Sequence, residues 1–134
     1  MKKFVLALAS LAMVAGSAGV ASAHHSTSNY DNQHSENLKV VVKELEMTNP
    51  HMRLTAIAGT KTLVFEGQGV QNMYRLGLRR GMIKEGDVVT VNYSPLKAGN
   101  DGYSGLFWSI TLADGKVVGR PRENAPGATP APAR

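Results

Sequence analysis

Between Leu38 and Met47 the apolar positions change phase once: Leu38, Val40 and Val42 alternate with Lys39 and Lys43, and then Leu45 and Met47 carry the apolar side chains. Successive side chains of a strand point to opposite faces, so a slip of one residue turns everything after it to the other side. A bulge produces that slip and bends the strand where it occurs. The spacing therefore predicts one long bent strand, which no flat sheet accommodates.

The segments that follow fill in a β-structure around it. Thr48-Asn49-Pro50 ends the first strand, because proline lacks a donor and pushes its predecessor out of helical geometry. Met52 to Ala58 alternates as a second strand, Gly59-Thr60 turns the chain, and Lys61 to Glu66 is a third strand with Leu63 and Phe65 on one face. After Gly67 and Gly69, Val70, Met73, Tyr74 and Leu78 recur at helical spacing and predict a short helix, with Arg75, Arg79 and Arg80 lying elsewhere. Val88 to Tyr93 is a fourth strand. The fifth, Leu106 to Leu112, is expected to turn Leu106, Trp108, Ile110 and Leu112 inward against Phe107, Ser109 and Thr111. Asp114-Gly115 is a hairpin signal leading to a last short segment at Val117 and Val118. Three strands, a helix and two strands is the order of a small OB-like five-stranded barrel, mainly β, in which the bent first strand serves both halves of the sheet. A small sandwich with an inserted helix fits the same pattern.

The two ends read differently. Lys2 and Lys3 form a basic n-region, Phe4 to Val20 an apolar stretch broken by small residues, and Ala21-Ser22-Ala23 a small-residue cleavage site, so residues 1–23 are predicted to be a signal peptide. The apolar stretch is shorter than the roughly 20 residues a membrane span requires, and no membrane insertion is expected after cleavage. The expected location is the periplasm. Residues 24–37 are polar and without periodicity, an N-terminal arm; residues 38–119 are the barrel domain; residues 120–134, rich in Pro and Ala, are expected to be a disordered tail.

Without the signal, thirteen basic residues stand against ten acidic ones, a modest excess without the clustering that nucleic-acid binding requires. The chain has no cysteine, which excludes disulfides, a zinc-thiolate centre and covalent c-type haem. No nucleophile elbow, phosphate loop or forced carboxylate pair is present, and the expectation is that the protein is not an enzyme.

Cleavage after Ala23 would leave His24 as the first residue and His25 as the second. A free amine beside two imidazoles is a ligand set for a transition metal, copper first by its place in the affinity order. His51, held behind Pro50 at the start of the second strand, could complete a site of the histidine-brace type if the arm folds back across that end of the barrel. The bland alternatives are a solvated histidine arm and a half-buried, hydrogen-bonded His51 in a turn. Asp31 is either a further carboxylate ligand or a polar arm residue, and His34 is without an evident role. Met47, Met52, Met73 and Met82 fit the core better than a thioether site. Tyr93, Tyr103, Phe107 and Trp108 could form a stacking surface, although core burial accounts for Trp108. The competing function is a non-metal barrel that binds a small molecule or a periplasmic protein partner through its strand faces and the loop around Asn100.

Ala23-His24-His25-Ser26, Thr48-Asn49-Pro50-His51, Phe65-Glu66-Gly67, the run from Lys84 to Val91 and Leu112 to Lys116 together make the chain resemble an uncharacterised family of small exported bacterial proteins, a domain of unknown function. The resemblance spans His24 to about Val118. It implies a small β-barrel, with tryptophans typical of the family at the places here held by Met47 and Leu78.

Overall fold

A computed structural model describes residues 29–97 and 102–124. In these, six strands and one helix follow one another as β1 (Glu36–Glu46), β2 (Arg53–Ala58), β3 (Lys61–Glu66), α1 (Val70–Arg75), β4 (Val88–Pro95), β5 (Gly105–Thr111) and β6 (Val117–Gly119). No helix among the described residues is long and apolar enough to cross a membrane.

The phase slip in β1 is a bulge. Val42 pairs with Ala56 and Glu44 with Thr55, so Lys43 is the extra residue on β1. Before it, Val40 and Val42 are buried; after it, Leu45 and Met47 turn to the same core. The bend also divides the partners of β1. Its first half, Glu36 to Val41, pairs with β4, and its second, Val41 to Glu46, pairs with β2. Antiparallel β2–β3 and β4–β5 pairs follow, and parallel pairing of Phe65 with Gly105 and Glu66 with Leu106 joins β3 to β5. The circuit β1–β2–β3–β5–β4–β1 is a closed five-stranded OB-type barrel. Strand β6 is an addition along the remaining edge of β5. A sandwich with an inserted helix is thereby excluded.

Phe65, Leu54, Met52, Val91, Ile110 and Phe107 fill the interior, with Met73 and Leu78 of the helical segment closing one end. The rings of Phe65 and Tyr93 meet edge-on with centroids 4.9 Å apart. Met52 and Met73 are core residues, as the alternation indicated, and Met47 and Met82 pack against them. Leu78 is fully buried.

Strand β5 departs from the expected alternation. Asn92 pairs with Ser109 and Tyr93 with Phe107, which leaves Trp108 as a second bulged residue. The bulge turns Phe107 into the core with Ile110, while Trp108 stays half-exposed on the outer face. The expectation that Trp108 points inward and Phe107 outward is therefore reversed.

That outer face is covered. Asn92 and Ser94, buried polar residues of β4, receive chain segments from both ends. Asn92 accepts a hydrogen bond from the Arg122 N–H at 2.8 Å and donates to the Arg122 carbonyl at 3.2 Å. Ser94 donates to the His34 carbonyl at 3.0 Å. Ser35 joins the two segments, its N–H donating to Asn124 Oδ1 and its hydroxyl to the Arg122 carbonyl, each at 2.6 Å. Tyr30, 3% exposed, bridges to Leu96. The described parts of the polar arm and of the Pro-rich tail are thus fastened to the barrel, because β4 offers buried amide and hydroxyl groups that must find partners. Residues 24–28 and 125–134 lie outside the described residues.

Candidate functional site

His51 follows a cis Asn49–Pro50 bond and stands two residues before β2. Its side chain is 37% exposed at the rim of the barrel. Nδ1 lies 3.2 Å from the Gly67 carbonyl oxygen. A carbonyl can only accept, so Nδ1 carries the proton of that bond, and a neutral ring so arranged has its lone pair on Nε2. On the same side Glu66 Oε1 is 3.8 Å from Nδ1. Glu66 is nearly buried and its other oxygen accepts the Tyr30 hydroxyl. A carbonyl and a carboxylate behind one ring nitrogen are the partners that orient a metal-binding histidine and raise its basicity.

The tight backbone here depends on Gly67. A Cβ at this position would lie 2.5 Å from the Phe107 ring and 2.9 Å from Met52 Cβ. Only a glycine lets the chain cross the core that closely and present its carbonyl to His51.

Of the three sequence-predicted ligands the structure describes His51 alone; His24 and His25 lie outside the described residues. Among the described residues no group of three or more His, Asp or Glu side chains could hold a metal ion. Asp31 is used otherwise. It holds the His34 ring and accepts the Gln33 N–H at 3.1 Å, closing the turn before β1. The hydrogen bond from His34 keeps the Asp31 carboxyl below its ordinary range.

A second concave feature was not legible in the motifs. A cleft of about 360 Å³ opens between α1 and the segment after β6, with Gln68, Asn72 and Leu76 on one side and Arg120 and Arg122 on the other, and Trp108 between them. The Arg122 guanidinium lies 4.6 Å from the centre of the Trp108 ring. Indole Nε1 donates to Ser94 Oγ at 2.9 Å, fixing the ring from behind. Of the four aromatic residues considered for a stacking surface, Tyr93 and Phe107 are core residues and Trp108 lines this cleft. Tyr103 lies under Arg53, whose guanidinium is 5.6 Å from its ring centre.

A family model described as a family of unknown function (DUF6152) matches residues 10–106. No curated protein and no solved structure matches the chain.

Proposed function

Since the chain belongs to this family of unknown function, its role must be read from its own residues, and we propose that it is an exported, non-catalytic periplasmic module that binds copper. The ligands are the amine and imidazole of His24, the imidazole of His25, and His51 from the barrel.

The observation that carries this reading is the chain of contacts from Tyr30 through Glu66 to His51. It anchors the N-terminal segment beside the one barrel histidine whose ring is oriented by a carbonyl and a carboxylate. Tyr30 is six positions after His24. An extended chain of that length reaches about 20 Å, ample to bring the N-terminus to His51. Nitrogen donors without thiolates favour Cu(II) over the other divalent ions. Within the site Gly67 and Glu66 hold the His51 ring in one orientation.

The test is calorimetry with Cu(II) and Zn(II) on protein exported and cleaved by the cell, its first residue established by mass spectrometry and its location by fractionation. Submicromolar Cu(II) binding that disappears in the His24→Ala/His25→Ala variant, and falls about tenfold in Glu66→Gln, is the expected result. Undiminished affinity in the double variant overturns the reading.

A further inference from the structure

We propose that the cleft over Trp108 is a second binding site, independent of the histidines, and that it takes a small organic carboxylate with a flat apolar body. The charge comes first. Among the described residues the cleft carries two guanidiniums and no acidic side chain. Among the described residues neither Arg120 nor Arg122 has a carboxylate within ion-pair distance. Two cations that converge on one concavity without a counter-charge repel each other, and an anion placed between them removes that repulsion. Arg120 and Arg122 flank Pro121, and both line the cleft.

Shape and rigidity define the remainder of the ligand. The Trp108 indole is held at its edge by the Nε1 bond to Ser94 and lies under the Arg122 guanidinium, and Leu76 adds aliphatic surface, so a flat group finds apolar lining beside the stacked arginine. Gln68 and Asn72, hydrogen-bonded to each other through their side-chain amides, supply polar groups opposite the arginines. The Arg122 backbone is clamped on both sides by Asn92, and the Arg120 N–H donates to the Trp108 carbonyl at 3.2 Å. The backbone that carries both arginines, and the Arg122 guanidinium over Trp108, are therefore in place before a ligand arrives, which lowers the entropy lost on binding. At about 360 Å³ the cleft is at the small end of ligand sites, a size that suits a single ring with its carboxylate.

Trp108 is the single tryptophan of the chain, so its fluorescence reports on this site alone. Mature protein freed of metal with a chelator is titrated with benzoate, benzamide and acetate, following tryptophan emission and, in parallel, heat. The expected result is a saturable response to benzoate, with benzamide and acetate each weaker by about tenfold or more, since one lacks the charge and the other the flat body. Arg120→Gln and Arg122→Gln each weaken benzoate by about tenfold. Arg120 is exposed, so Arg120→Gln does not lower the thermal melt and serves if the Arg122 variant unfolds. Equal binding of benzamide, equal binding of acetate, no saturation, or wild-type affinity in Arg120→Gln each overturns the proposal. Copper binding is unaffected by any of these outcomes, because the cleft contains no histidine.

Discussion

At single residues, the largest effects come from side chains whose placement is decided by very local geometry. Phe107 and Trp108 are neighbours of similar hydrophobic size, yet one is fully enclosed and the other lies half-exposed under an arginine. Phe107→Ala empties the centre of the barrel and is expected to cost about 3–5 kcal/mol in denaturant unfolding. Trp108→Ala removes an outer contact and should cost less; the reverse order would contradict the bulge in β5. Asp31 governs a different property. Its carboxyl titrates below the ordinary range because His34 donates to the ionised form. A depressed carboxylate contributes stability above its unfolded pKa, near 3.9, and loses it as pH falls through the lower folded value. The turn at residues 31–34 should therefore open below about pH 4, seen as a loss of amide protection there relative to the intrinsic exchange rate at each pH. Asp31→Asn should exchange fast at neutral pH as well and lose that dependence.

At the level of elements, the two bulges explain what the sequence did and did not disclose. The β1 bulge is legible because charged residues stand between apolar ones on both sides of it, so the change of phase at Lys43 is visible. The β5 bulge is hidden. Leu106, Phe107 and Trp108 are all apolar, and an unbroken apolar run gives no phase from which a slip could be read. The Asn-Pro-His turn placed His51 at the start of the second strand, but its partner Glu66 looks in sequence like the polar end of a strand. Its burial follows from a hydroxyl 36 residues away at Tyr30, a contact without a local signature. The cleft draws on three separated stretches, around Gln68, Trp108 and Arg120, and is likewise a product of closure. Deleting Lys43 tests the role of the first bulge. With the extra residue gone, Val42 and Leu45 stand two apart and still share the core face, but the strand loses the bend by which β1 serves β4 and β2 together. Loss of at least about 3 kcal/mol in unfolding free energy is expected; a stability equal to wild type would show that the strand bends without it.

Across the whole molecule, the barrel is closed by backbone pairing but its outer face is finished by the chain's two ends. Asn92 is central, bonding Arg122 through both amide atoms and Asn37 Oδ1 at 3.0 Å. The same Arg122 carbonyl accepts the Ser35 hydroxyl, so one residue of β4 couples the N-terminal segment, the C-terminal segment and the stacked arginine of the cleft. Asn92→Ala removes three hydrogen bonds and leaves the Arg122 N–H to find water, at a cost of about 1–3 kcal/mol. Because the barrel circuit does not pass through that side chain, the loss should be local. Protease cleavage after Arg122 should accelerate, and Trp108 emission should shift to the red as its cover lifts, while far-UV circular dichroism stays that of the wild type. The copper affinity proposed for the histidines should persist, since Tyr30, Glu66 and His51 are held by contacts that do not include Asn92. A variant that unfolds as a unit, with cleavage throughout β1–β5, would instead make the terminal segments part of the barrel's cooperative core.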